Sequence, residues 1–256
     1  MFLIGGGPSL NQQDLSLLQQ RGIIVAAMNN VAASHVRPQL WFSVDVPGRF
    51  SETIWRDPAI AKFVKHRWRH RYSRRLRPDE RRPGEQQWSW TDSRALEFPN
   101  CWWLHWTVGF DPDTFFNQPL PTWGVDSVPG AQSPDNRAVK SVMLVALWML
   151  HWLGFRTVYL LGCDFQMQHG APRYAFETER CDFSVLDNTW SYLWLDRRLT
   201  ELRPHAAAAG YRIVNCTAGG NLTAFERMSY SAALEECLRA HDLPQEKSLV
   251  GMYQAS

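Results

Sequence analysis

The sequence predicts an α/β fold in which a parallel sheet carries helices on both faces. Three observations lead there. Short apolar runs, rich in β-branched and aromatic residues, recur at 2–4, 23–27, 40–44, 157–161 and 212–216. Each ends in glycine or small polar residues, as strands of such sheets do where ligands gather. Where the pattern is regular, the runs are separated by segments of helix length with helical spacing of leucines and other apolar residues.

In chain order, Phe2-Leu3-Ile4 is the first strand and Gly5-Gly6-Gly7 a turn. Pro8 and Ser9 then open a helix, since proline suits the first helical position and serine caps. Leu10, Leu15 and Leu18 continue it at helical spacing as far as Arg21-Gly22. Ile23–Ala27 is the second strand, running into Met28-Asn29-Asn30, and Leu40–Val44 the third, ending in Asp45. From 46 to 137 the alternation lapses. A basic stretch, five tryptophans (Trp88, Trp90, Trp102, Trp103, Trp106) and a connector with five prolines predict an inserted, irregular subdomain beside the sheet. Regularity returns with an apolar helix over Ala138–Leu153, stopped by Gly154, and a core strand at Thr157–Leu161 that runs into Gly162-Cys163-Asp164. The polar stretch 166–189 reads as a loop and candidate active-site lid. An amphipathic helix over 190–209, a last strand at Arg212–Cys216 and a helix late in 221–239 complete a single Rossmann-like domain spanning 1–256.

Composition excludes several classes. Hydrophobic residues make up 45% and tryptophans number 13, whereas disordered chains lack aromatics. The longest apolar run, Val142–Leu153, carries His151 and falls short of the roughly 18 residues of a membrane span. The first residues lack the basic segment of a signal peptide. Five cysteines without a CxxC pair predict reduced thiols, a cytoplasmic setting and no zinc site. The net charge of +2 conceals an asymmetry: 56–82 holds eleven Lys/Arg against three Asp/Glu, a local +8, which leaves −6 elsewhere. A solvated helix face would account for it. Arg67, Trp68, Arg69 and Arg71, with Trp55 and Tyr72 interleaved, equally suit a polyanion such as a nucleic acid or an acidic glycan.

The strand ends supply the candidate site. Gly5, Gly6 and Gly7 allow close backbone approach, and a helix opening at Ser9 offers N–H groups to a phosphate. The spacing is neither GxGxxG nor a P-loop, which argues against a dehydrogenase or a P-loop kinase. Asn29 and Asn30 carry paired donors and acceptors for a base or sugar, although asparagine also favours turns. Asp45 and Asp164 could hold a ribose hydroxyl, a metal or a catalytic proton, or cap a helix. Asn215, with Thr217-Ala218-Gly219-Gly220 after it, ends the last strand. Polar ends gathered on one sheet edge predict a site there.

Strand–GGGPSL–helix is similar to the GxGPSL opening of a group of nucleotide-using transferases. The group includes bacterial single-domain sialyltransferases, motility-accessory flagellin glycosyltransferases and hydroxymethylpterin pyrophosphokinase-like proteins. Ala146–Phe176, with its apolar helix, GCDF and Tyr-Ala-Phe, resembles the same group, as does Cys216–Phe225 more weakly. The resemblance covers about the first 45 residues and 138–225. It implies a donor nucleotide at Gly5–Ser9, its ribose or base at Asn29 or Asn30, and Tyr174 donating to the leaving phosphate. Val139-Lys140-Ser141 replaces the sialyltransferases' small donor loop, where Lys140 would meet a diphosphate. Gly6 stands where they carry Asn and Gln166 where they carry Tyr, and 177–200 has no His to match their catalytic one. Candidate bases are therefore His169 first, then Asp164, Asp182 and Asp187.

The expectation is a cytoplasmic enzyme, a glycosyltransferase-like transferase with no tightly bound cofactor. It would move a sugar from a nucleotide-activated donor to a hydroxyl of an anionic acceptor, either a glycan or a modified base in phage DNA. Two alternatives stand beside it. One is an ATP-dependent pyrophosphokinase-like transfer with Mg²⁺ on Asp45 or Asp164. The other is a non-catalytic nucleotide- or nucleic-acid-binding module. The sequence leaves oligomeric state open.

Overall fold

The computed structural model describes residues 1–30, 36–50, 52–78, 86–104, 110–117, 141–167, 174–175 and 182–239. Among the described residues there are nine strands: β1 (Phe2–Ile4), β2 (Val25–Met28), β3 (Leu40–Ser43), β4 (Ala61–Lys65), β5 (Tyr72–Pro78), β6 (Gln86–Arg94), β7 (Cys101–Leu104), β8 (Thr157–Leu161) and β9 (Arg212–Asn215). With them stand four helices: α1 (Glu52–Arg56), α2 (Val142–Trp152), α3 (Asp182–Ala208) and α4 (Tyr230–Arg239). Seven strands form one sheet in the order β7-β4-β3-β2-β1-β8-β9, every neighbouring pair parallel. This is an α/β Rossmann-like fold.

Burial follows from that topology. A parallel sheet covered on both faces needs apolar residues at every position, not at alternate ones, and β1 and β2 are buried throughout. Alternate side chains divide between two cores. Leu3, Met28, Phe42 and Phe63 face Leu144 and Leu147 of α2 and Leu199 of α3. Phe2, Ile4 and Trp41 face the other layer, with Leu10, Trp55 of α1 and Leu234 of α4. The rings of Phe42 and Phe63, on adjacent strands, stack 5.0 Å apart. No described helix is long and apolar enough to cross a membrane.

The structure corrects three elements. The helix expected over 8–21 is two short 3-10 segments, Pro8–Gln12 and Leu15–Gln19. Asp14 divides them, because its carboxylate accepts from the Ser16 N–H and caps the second segment instead of continuing the first. Among the described residues of 46–137, β4 and β7 belong to the central sheet, and β5 and β6 form an antiparallel hairpin apart from it. The helix expected from residue 190 begins at Asp182, so 182–189, read as loop, is helical.

The basic stretch is not a solvated helix face either. It runs through α1, β4 and β5, and Lys62 is completely buried in the sheet. Its ammonium donates to the carbonyls of Asp57 (2.7 Å), Ile60 (3.0 Å) and Pro99 (2.8 Å), binding the turn before β4 to the turn before β7. Burial lowers its pKa, while nearby Cys101 and Asp57 act in the opposite sense. Lys62→Met keeps the stem and deletes the donors. It should cost about 2–4 kcal/mol, because buried carbonyls lose their partner. Urea denaturation of both proteins measures this; a loss below about 0.5 kcal/mol would show the three bonds to be incidental.

Candidate functional site

β1 stands at the point where the chain changes direction across the sheet. β2, β3, β4 and β7 follow on one side of it, β8 and β9 on the other. Connections leaving β1 and β8 diverge, and beyond their carboxyl ends such sheets open a crevice. A cavity of about 290 Å³ occupies that place, between the glycine loop, the ends of β2 and β3, the start of α2 and a wall from α3.

The glycine loop is pinned from behind. Gly5 N–H donates to Leu161 O and Gly7 N–H to Gly162 O, both at 2.8 Å. Ser9 donates twice to Asp164, from its backbone N–H to Oδ1 (3.1 Å) and from its hydroxyl to Oδ2 (2.7 Å). Leu10 N–H bonds Gly7 O, and Pro8 has no N–H to offer. Gly6 N–H alone in the loop has no partner among the described residues. The phosphate expected at the Pro8–Gln12 opening is thus displaced by the protein's own carboxylate. Asp164 is buried, which raises its pKa, and the two Ser9 bonds pull the other way.

Two glycines are needed for this contact. A Cβ on Gly7 would overlap the Asp164 carboxylate. Gly220, at φ +79, would bring one within 2.5 Å of the Asp164 carbonyl, and the neighbouring Asn221 N–H donates to that oxygen at 2.7 Å. Asn215 belongs to the same brace. It is fully buried, accepting from Thr217 N–H and donating to Leu222 O, while the Thr217 hydroxyl accepts from Cys163 N–H. It holds the loops and does not face the cavity.

A second helix N-terminus does open there. Ser141 caps α2 by accepting from Met143 N–H at 3.2 Å, and Ser141, Val142 and Met143 all line the cavity. The positive end of the helix dipole points at whatever binds. At the end of β2, Asn29 adopts the left-handed conformation (φ 54). Its backbone is satisfied by Phe42 O and the Trp41 indole, yet its side-chain Oδ1 is buried with no hydrogen-bond partner among the described residues. Asn30 lines the cavity beside it. Asp45, at the end of β3, is ion-paired with Arg49 (2.9 Å).

Tyr174 also lines the cavity; the following Ala175 N–H bonds Gly6 O at 3.0 Å and ties this segment across the glycine loop. Of the expected site residues, Gly5, Gly6, Gly7, Asn29, Asn30, Asp45, Ser141, Asp164 and Tyr174 thus surround one space, with Ser9 buried behind Asp164. His169 and Lys140 lie outside the described residues.

Sequence reasoning missed Arg49 and the α3 wall. Phe165 stacks on Tyr192 at 5.3 Å, and Asn188 and Leu195 line the same side. The expected loop over 166–189 concealed Asn188, while Tyr192 and Leu195 fell in the expected helix over 190–209 without being read as site residues, although the three recur at helical spacing.

Arg67, Trp68, Arg69 and Arg71 do not line the cavity. They lead from β4 into the hairpin. The Arg67 guanidinium covers the Trp68 ring at 4.7 Å, and the Trp68 indole donates to Val44 O. Arg69 is bonded to His66 and His70, while Arg71 is exposed. Among the described side chains of the hairpin, Trp90 and Tyr72 are the exposed aromatics, the latter under the Arg94 guanidinium. β5 packs against the turn that carries Arg49, so the hairpin base and the cavity wall share that turn.

The carboxylates expected to hold Mg²⁺ both have protein partners. Asp164 is bonded to Ser9 and Asp45 to Arg49, and no three His, Cys, Asp or Glu side chains converge among the described residues. The four described cysteines are free thiols. The chain matches no protein-family model, and no curated protein or solved structure matches it.

Gly7→Ala tests the seam between the two loops. The new methyl must displace Asp164 or the loop, and overpacking of this kind lowers stability by about 1–3 kcal/mol. The melting temperature should fall by about 3–10 °C. An unchanged value would mean that the loops part freely.

Proposed function

We propose that this chain is a glycosyltransferase-like enzyme that binds a nucleotide-activated donor in the switch-point cavity and transfers the sugar to a hydroxyl of an anionic acceptor. The observation that carries the reading is the convergence in one crevice of an unpartnered backbone donor, a helix N-terminus and a buried unpaired acceptor. Gly6 N–H and the start of α2 suit a phosphate. Asn29 Oδ1 suits a hydroxyl or amino group of the nucleoside. The cavity size lies at the lower end of small-molecule sites, which begin near 300 Å³. The resemblance of the glycine loop to GxGPSL transferases points the same way.

In this reading Tyr174 donates to the leaving phosphate as the glycosidic bond breaks, supplying charge stabilisation without a metal. Asp164 sets the loop in place and is not the base, because both its oxygens already accept from Ser9. The acceptor's proton then falls to His169, or to Asp182 or Asp187 at the start of α3. The same engagement of Asp164 favours a second reading, a nucleotide-binding module without catalysis. Release of free sugar from a donor, present or absent, separates the two.

A thermal-shift panel of nucleosides, nucleotides and nucleotide sugars tests the donor site, since a ligand that binds the folded state raises its melting temperature. Gly6→Val should abolish the shift while leaving the melting temperature of the free protein within a few degrees. Gly6 is not in the left-handed region, and a branched side chain there covers its N–H. A variant that still binds nucleotide as wild type does would reduce the loop to a turn.

The acceptor surface is tested separately. The hairpin should bind a polyanion, with affinity falling steeply as salt rises. Arg69 is tied to neighbouring histidines, so the exposed Arg67 and Arg71 are the informative pair. Their joint replacement by Ala should flatten the log–log salt slope for duplex DNA by up to about 1.8. Absence of binding by wild type at low salt would remove nucleic acid as the acceptor.

A further inference from the structure

Among the described residues that line the cavity, Arg49 is the one cationic side chain. Its backbone is held firmly. It ends the 3-10 turn Pro47–Arg49, in which Arg49 N–H bonds Val46 O and Phe50 N–H bonds Pro47 O. The next side chain, Phe50, is buried edge-on against Trp41 at 5.0 Å. A guanidinium carries five N–H donors in a planar fork. The bond that occupies it here runs from Nη1 to Asp45 Oδ2, and both side chains keep substantial solvent exposure, 52% and 36%.

An arginine on a rigid turn, facing a crevice and touching only one carboxylate oxygen, is well placed to receive a planar anion. We propose that Arg49 binds a phosphoryl group of the ligand, and that Asp45 occupies its guanidinium until that group arrives. The proposal rests on the reading of this cavity as a nucleotide site and names the side chain that reads the charge. β3 is separated from β1 by β2, which sets the ends of the two strands about 10 Å apart, with the cavity between the turn and the glycine loop. Arg49 would thus meet the phosphate from the end of β3, and Gly6 N–H from the end of β1. Asp45 changes role accordingly: it competes with the ligand and does not contact it.

Isothermal titration of the full chain with a nucleoside, its mono- and diphosphate, inorganic pyrophosphate and a 5′-phosphorylated oligonucleotide tests this. Arg49→Gln should weaken the phosphate-bearing ligands tenfold or more and leave the free nucleoside unchanged, with Arg49→Lys in between. Asp45→Asn should tighten the same ligands about two- to fivefold, the size of a partly exposed ion pair. If Arg49→Gln affects the oligonucleotide but not the mononucleotides, the phosphate belongs to the acceptor; the reverse assigns it to the donor. Equal loss for nucleoside and nucleotide, or less than twofold loss for every ligand, overturns the proposal. Weaker binding in Asp45→Asn overturns the competing role of Asp45. Pyrophosphate binding that depends on Arg49 while no nucleoside or nucleotide binds would sustain the anion site and sink the nucleotide reading. No binding of any phosphate ligand sinks both.

Discussion

Two hydrogen bonds from Ser9 to Asp164 join the carboxyl ends of β1 and β8 across the point where the sheet changes direction. Much of the crevice is arranged around them. They bring the glycine loop so close to the β8 turn that Gly7 admits no side chain, and they place the Asp164 carbonyl where Asn221 N–H can meet it. The loop after β9 is drawn in through Asn215 and Thr217, completing the brace. A buried carboxylate is costly to desolvate, so its position is tolerable only because both oxygens are satisfied. That cost also explains why the first helical opening is unavailable to a ligand: its one usable N–H has been spent on the seam.

The binding capacity of the edge therefore shifts to groups that the seam leaves alone. Gly6 sits between two pinned glycines and lines the cavity; its carbonyl receives Ala175 N–H, while its own N–H has no partner among the described residues. α2 begins across the gap with its serine cap. Asn29 has its backbone held by Phe42 O and the Trp41 indole, while its side-chain oxygen has no partner among the described residues. Preorganised groups of this kind bind without paying for their own ordering. The hairpin stands apart from this crevice but rests on the turn that forms one of its walls.

The sequence made five strands of the sheet visible, because β1, β2, β3, β8 and β9 are runs that burial keeps apolar. It hid β4, where Lys62 and Lys65 interrupt the run. A lysine satisfied by three carbonyls can replace an apolar residue in a core, and nothing local announces it. β7 was hidden by its reading as part of a tryptophan-rich irregular stretch. The glycine loop and the polar strand ends were legible as a site because strand-end chemistry is local. Their division of labour was not. Whether Asp164 faces a ligand or Ser9 depends on a contact 155 residues away along the chain. Arg49 sits in a Val-Pro-Gly-Arg stretch with no periodicity, so only the closed fold shows that it borders the cavity.

The place of β1 in the sheet bears on how the molecule is made. β1 is near the start of the chain but lies inside the sheet, with one edge paired to β2 and the other to β8. At about 5–20 residues per second, a ribosome delivers β8 roughly 8–30 s after β1. For that interval Phe2-Leu3-Ile4 has an open edge, and its apolar side chains lack α2, which covers the Leu3 side. Contacts of such long sequence separation also form slowly once the chain is complete. The nascent protein must therefore keep a sticky central strand from pairing with other chains, which makes it a natural client for chaperones that hold apolar segments during synthesis.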